Sequence, residues 1–217
     1  ELQRELCRER VQEGRPDTLI LVEHPPVFTL GRRSKPDHCG RGGALLKRMG
    51  YDVYEVERGG SITYHGPGQI VVYPILRLRD FCPGPKIYVQ MLEEVVIRVL
   101  LEWGIQAKRV EKLPGVWVYK DVEKDFKGGR GEGGLLSKNV QKIAAIGVRI
   151  SRGVTLHGFA LNVNVDLKPF ELITPCGIEG CQVTSMQVVL GKPVDAAEVR
   201  RQITHHFGKV FELEWKV

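Results

Sequence analysis

The chain has 217 residues, 42% hydrophobic and 27% charged, a balance that suits one compact unit with a sizeable core. No apolar run approaches the ~18 residues that span a bilayer, and the opening ELQRELCRER lacks the apolar stretch of a signal peptide, so neither membrane insertion nor secretion is expected. Thirty-two basic against 26 acidic residues leave a charge of +6, which permits nucleic acid, an anionic membrane or an acidic protein as partner; the basic residues are scattered and aromatics reach only 7%, a poor stacking platform for single strands.

The five cysteines, Cys7, Cys39, Cys82, Cys176 and Cys181, are odd in number and contain no Cys-x-x-Cys pair. Free thiols in a reducing compartment fit that spacing better than a disulfide framework or a zinc site, and no metal is expected.

Residues 1–13 place Leu2, Leu6, Cys7 and Val11 on one helical face before Gly14, Arg15 and Pro16 end the run. Thr18 to Glu23 predicts a buried strand and Val27 to Gly31 a second, divided at His24-Pro25-Pro26 because proline cannot donate to a ladder. His24 then reads as a turn histidine bonded to nearby backbone. A short helix over 42–49 and an alternating strand over 51–56 follow. The interval 58–69, RGGSITYHGPGQ, contains four glycines and reads as a loop whose backbone approaches something closely, with Arg58, Thr63, Tyr64 and His65 clustered in it.

Gln69 to Leu76 predicts a strand that Pro74 assigns to an edge or a strand end. Ile87, Met91, Leu92, Val95, Val96, Val99, Leu100 and Trp103 recur at helical spacing, and Gly104 closes the helix. Strands over 105–110 and 115–119 precede a glycine-rich interval, 121–139, read as a flexible insertion. Its Gly129-x-Gly131-x-x-Gly134 spacing lacks the strand before and the helix after that a dinucleotide site requires. Strands over 142–150 and 155–165 pair around Ser151-Arg152-Gly153, with Asn162 and Asn164 sharing a face. Asp195 caps a helix from Ala196 to about Val210 that carries His205 and His206, and 211–216 alternates as a final strand.

Two residues are out of place in this pattern. Lys142 stands inside an apolar strand, where a charged group must be paired or directed into a cavity, because its desolvation costs several kcal/mol. Cys176 stands between a proline and a glycine, on a loop where backbone amides can turn toward its sulfur. A neighbouring ammonium stabilises a thiolate, and a partly buried lysine can also take a proton from an incoming amine. Together they would support ping-pong acyl transfer through a thioester on Cys176, with the Gly177 amide as a donor to the oxyanion. On local features alone, a core cysteine and a strand-end lysine read equally well.

Four segments carry a resemblance: RGGSITYHGPGQ at 58–69, KIAAIGVRI at 142–150, HGFALNVN at 157–164, and PCG followed by TS within 175–185. In order and spacing they resemble the lipoyl(octanoyl) transferases over nearly the whole chain. The resemblance implies an α/β (α+β) fold, a mixed β-sheet flanked by helices, similar to the catalytic domain of biotin and lipoate protein ligases, and a single catalytic domain over 1–217. It implies transfer of an octanoyl group from octanoyl-acyl carrier protein to a lysine of lipoyl domains, those of 2-oxoacid dehydrogenase E2 subunits and glycine cleavage H protein, with no cofactor, nucleic acid or membrane as partner. The expected setting is bacterial cytoplasm, or a mitochondrion for a eukaryotic source.

Carried onto this sequence, the family's acyl-thioester cysteine falls on Cys176 and its partner lysine on Lys142. Its substrate-binding positions fall on Arg58, Gly59, Gly60, Ser61, Ile62, Thr63, Tyr64 and His65, on Ala145, Ile146 and Gly147, and on Gly158, Phe159 and Ala160. The departure from the family is the 121–139 insertion. Two rivals stand beside this reading: an ATP-dependent lipoate or biotin ligase of the same fold, and a non-catalytic module of this fold that binds a carrier protein or nucleic acid.

Overall fold

A computed structural model describes residues 1–35, 38, 43–119, 139–178 and 180–216. The 121–139 insertion, with its glycine spacing, lies outside the described residues except for Asn139, as does Cys39. The longer apolar runs form one sheet, in which β1 (Thr18–Val22), β5 (Gln69–Ile75), β9 (Val154–Asn162), β8 (Val140–Ser151), β7 (Leu113–Tyr119) and β6 (Ala107–Val110) lie side by side in that order. These neighbours are antiparallel, and β10 (Gln182–Val183) adds a parallel pairing to β8. The Pro25-Pro26 step takes the chain out of that sheet. β2 (Val27–Leu30) then pairs parallel with β3 (Asp52–Glu55) and antiparallel with β4 (Ile62–His65) in a separate three-stranded sheet. The fold is thus α/β with mixed sheets, as expected.

Two helices cover one face of the large sheet. α3 (Pro85–Glu102) and α5 (Ala196–Phe211) bury Leu92, Val96, Val99, Val199, Ile203 and Phe207 against Ile70, Val72, Ile143, Phe159 and Leu161. Asp195 starts α5 as predicted, its Oδ1 accepting from the amides of Ala197 (2.9 Å) and Glu198 (3.4 Å). On the other face α1 (Leu2–Gln12) packs Leu6 and Cys7 on Ile75, Val154 and Leu156. The small sheet has its own core, in which Phe28, Ile62 and Tyr64 meet Leu46 of α2 (Gly43–Arg48) and Phe170. α4 (Met186–Leu190) is capped by Ser185, whose Oγ accepts from the Val188 amide at 3.3 Å.

Three expectations are corrected. The 58–69 interval is not all loop: Ile62–His65 is a buried strand, because Ile62 and Tyr64 fill the second core while Thr63 and His65 face the other way. β1 is half-buried rather than buried, being the sheet's edge. β5 is internal, lying between β1 and β9, and Pro74 stands at its end, one of the two places expected for it. Proline is tolerated there because pairing to β9 stops at Val72, opposite Phe159. Just beyond, a Cβ on Gly158 would stand 2.2 Å from the Val72 carbonyl oxygen and 2.7 Å from Pro74 Cδ, so only glycine allows the approach. Residues 212–216 form no strand: Glu212 turns left-handed at φ +53, and Trp215 folds back to donate to the Thr204 carbonyl at 3.0 Å.

Candidate active site

β10 draws the chemistry together. Its parallel pairing sets Val183 beside Lys142, and the Thr184 amide donates to the Lys142 carbonyl at 2.9 Å, which brings the 174–178 corner to the start of β8. The Lys142 side chain is 3% exposed and lies across the Trp117 ring, its Nζ 4.5 Å from the centroid. From there Nζ donates to the Pro114 carbonyl at 3.2 Å and reaches Cys176 Sγ at 3.2 Å. A buried ammonium thus has a carbonyl, an aromatic face and a sulfur around it, which answers the cost of burying its charge.

Cys176 sits on a strained corner. Its backbone is left-handed at φ +59 and ψ 11, unusual for a residue with a Cβ, and Gly177 follows at φ +66. The corner closes on itself: the Gly177 amide donates to the Thr174 carbonyl at 2.9 Å. That amide is therefore already engaged, and the expectation that it would face an oxyanion is not met.

Beside the cysteine lies a cavity of about 540 Å³ between the two sheets. Arg58, Gly60, Ser61, Thr63 and His65 line one side, with Val27 and Thr29 of β2; Ala145, Ile146, Gly147, Gly158, Phe159 and Ala160 line the other, with Val71 and Tyr73 of β5. Gly59 does not line it, its amide being tied to the Val148 carbonyl at 2.9 Å, and Ile62 and Tyr64 point into the second core. Gly147 gives room for Arg58, whose Cδ would lie 3.2 Å from a Cβ there.

Arg58 enters the cavity with its charge compensated by neutral acceptors. Nη1 donates to the carbonyls of Gly59 (3.1 Å) and Ser61 (2.7 Å), and Nη2 to the carbonyl (2.6 Å) and hydroxyl (2.8 Å) of Thr29, while Nε has no partner among the described residues. Burial lowers its pKa, and Cys176 opposes that shift. The Thr29 hydroxyl continues a chain. Gln69 Nε2 donates to Asn162 Oδ1 (2.8 Å), so Gln69 Oε1 accepts from His65 Nδ1 at 2.7 Å, and His65 Nε2 is left to accept from Thr29 at 3.3 Å. Asn162 in turn donates to the Thr184 carbonyl at 2.9 Å, which ties the cavity wall to the segment that places Cys176.

The cavity histidines are neutral. Burial holds His65 down at about 3, and burial together with Arg58 and Arg149 holds His157 at about 4. Unfolded, both would take a proton near the ordinary histidine value of about 6.5, so the unfolded state binds more protons below that pH. Stability is therefore full above about pH 6.5 and falls on acidification through about 4 and then 3, each histidine adding a slope of at most about 1.4 kcal/mol per pH unit. Urea unfolding between pH 7 and 4 measures it. His157→Asn, a residue that tolerates the left-handed backbone at φ +58, is expected to flatten that slope; an unchanged slope would refute the assignment.

A family model of the lipoyl protein ligase A/B catalytic domain matches residues 1–208. The chain belongs to that family. Within the lipoyl ligase family its similar relatives are octanoyltransferases: one from Bacteroides fragilis is 46% identical over 88% of this chain and 80% of its own length, and one from Syntrophobacter fumaroxidans is 43% identical over 100% and 86%. A Myxococcus xanthus octanoyltransferase is also 46% identical, and the chain spans 52% of that protein's length. The chain is accordingly an acyltransferase. Solved structures agree on the fold: a bipartite lipoate protein ligase from Thermoplasma acidophilum superposes with a TM-score of 0.70 at 15% identity over 99% of this chain and 81% of that one. Lipoate-protein ligase A bound with ATP gives 0.67 at 15% over 100% and 83%.

Several residues of this lipoyl ligase family site escape a reading of the sequence. His24, read as a turn residue, lines the cavity with its Nε2 2.7 Å from the Tyr73 hydroxyl, because the chain crosses between sheets at that point. Trp117 and Pro114 hold the lysine, and His38 packs on Gly177. One signal was present: Gly115 interrupts an apolar strand, and a glycine there marks close approach, here by the Lys142 stem. Cys181, packed beside Trp117, has its thiol pushed up to about 12 by burial. Among the described residues no helix is long and apolar enough to cross a membrane.

Proposed function

We propose that the chain transfers an octanoyl group from octanoyl-acyl carrier protein to a specific lysine of lipoyl domains, those of 2-oxoacid dehydrogenase E2 subunits and glycine cleavage H protein, through a thioester on Cys176. The observation that carries this is the 3.2 Å approach of Lys142 Nζ to Cys176 Sγ beside the cavity between the two sheets. The thiolate adds to the donor's thioester carbonyl. Collapse of the adduct expels the donor thiolate, which takes a proton from the Lys142 ammonium and departs as a thiol. The acceptor amine then attacks the Cys176 thioester and gives its proton to the neutral Lys142, and the second collapse leaves an amide, a Cys176 thiolate and a Lys142 ammonium.

The remaining site residues have roles that follow from their places. Val71, Ala145 and Ala160 offer apolar wall to the acyl chain, and Gly147 leaves the room that Arg58 occupies beside it. Arg58 supplies positive charge where the oxyanion forms. Exposed Arg32 and Arg33, pinned by their amides to the carbonyls of Arg58 and Gly60 at 3.0 Å each, present charge to an acidic carrier at the rim.

Intact-protein mass spectrometry after mixing with octanoyl-carrier protein tests the proposal. The expected result is an octanoyl adduct that maps to Cys176, disappears in Cys176→Ala, and is discharged by an apo lipoyl domain without ATP. Labelling of the domain from free octanoate and ATP, with no protein adduct, would establish the ligase reading instead.

A further inference from the structure

We propose that Glu93 is the positioning residue for Lys142: its carboxylate grips the Pro114–Gly115 step that aims the lysine amine at Cys176, and sets a negative charge on that side of the lysine. The inner face of α3 is otherwise apolar, with Leu92, Val95, Val96 and Val99 at 0% exposure, yet Glu93 among them is only 5% exposed. A carboxylate at that depth costs several kcal/mol unless its oxygens are occupied. Oε1 accepts from the Gly115 amide at 3.0 Å and Oε2 pairs with Arg109 Nε at 3.1 Å. Arg109 does not need this partner, since at the surface it also binds Glu94 at 2.7 Å and the Gln90 carbonyl at 2.8 Å.

What Glu93 adds is a hold on two of the residues that touch Lys142. Gly115, at φ +127, lies under the lysine stem: a Cβ there would be 3.2 Å from Lys142 Cε and 2.7 Å from the Ala144 carbonyl oxygen. Pro114, immediately before it, offers the carbonyl that accepts from Nζ at 3.2 Å. Floor and acceptor are thus fixed by one buried oxygen from a helix otherwise occupied with packing. The charges also interact. Burial raises the Glu93 carboxyl above its ordinary value, and the Gly115 amide, Arg109 and then Lys142 pull it back.

The inference rests on the Lys142–Cys176 reading, and the test separates the two. Glu93→Gln retains an acceptor for the Gly115 amide without the charge; Glu93→Leu removes both; Glu94→Gln disturbs the same arginine from the surface. Each is scored for kcat, for KM of octanoyl-carrier protein, for the rate of Cys176 alkylation by iodoacetamide, and for melting temperature. Glu93→Leu is expected to lose at least about tenfold in kcat and alkylation at unchanged KM, since an ångström of misplacement costs up to about a hundredfold. Glu93→Gln is expected to fall between it and the wild type, with Glu94→Gln within about twofold of wild type by the same scale. A fall in melting temperature with wild-type kcat and alkylation in both Glu93 variants overturns the inference; if Glu93→Leu does not fold, Glu93→Gln decides alone. Lys142→Met alkylated at the wild-type rate would sink the underlying pair instead.

Discussion

Lys142→Met is expected to slow octanoyl transfer by about 10² to 10⁴-fold, the usual weight of a positioned acid–base group, while the melting temperature stays level or rises. Methionine fills nearly the same volume against Trp117 without a charge, and replacing a buried ion by an apolar group of similar size is often neutral or stabilising. Activity and stability should therefore part company at this residue. Lys142→Arg is not expected to restore the rate, because the proposed cycle needs a group that both gives and takes a proton and a guanidinium does not give one up. Single-turnover acylation followed by mass spectrometry, with thermal melts of the same samples, makes the measurement. Near wild-type acylation and transfer by Lys142→Met would remove the lysine from the proton path.

The helices and the central hairpin were legible because their signals are local. Apolar residues at helical spacing made α3, Asp195 capped α5, and Arg152-Gly153, both left-handed, turned β8 into β9. β4 was not legible, since its glycine-rich flanks read as loop; its burial comes from Phe28, Leu46 and Phe170, brought in by other parts of the chain. The final FELEWK alternates like a strand, but α5 ends left-handed at Glu212 and turns the segment back onto itself, so Trp215 finds Phe207 instead of a partner strand. Lys142 and Cys176 were each conspicuous as residues in the wrong company. Their meeting was expected from the resemblance rather than from any local signal, because it depends on the two-residue strand β10, too short to carry a pattern, pairing parallel with β8. His24 was misread for a related reason: adjacent prolines announce a turn, and nothing local says that the turn passes between two sheets with a cavity in the gap.

Gly177→Ala adds one methyl group and is expected to cut Cys176 acylation by up to about a hundredfold with the fold intact. Two costs coincide at this position. Gly177 has φ +66 directly after Cys176 at φ +59, and a second Cβ in left-handed backbone costs roughly 1–2 kcal/mol. The new Cβ would also meet the His38 ring, 2.6 Å from Cε1 and 2.9 Å from Nδ1. That ring is not free to retreat, because Nδ1 shares a 2.6 Å hydrogen bond with Ser61 Oγ and the His38 carbonyl accepts from the Thr174 amide at 2.9 Å. The loop must therefore move rather than the ring, and it carries the sulfur that sits 3.2 Å from Lys142. Since the strain is confined to the 174–178 corner, the melting temperature should fall only slightly. The double variant His38→Ala/Gly177→Ala opens the space the methyl needs, so it is expected to acylate faster than the two single losses multiplied together would allow, as coupled neighbours do. Wild-type acylation by Gly177→Ala, or losses that simply multiply in the double variant, would show that His38 does not hold the nucleophile's corner in place.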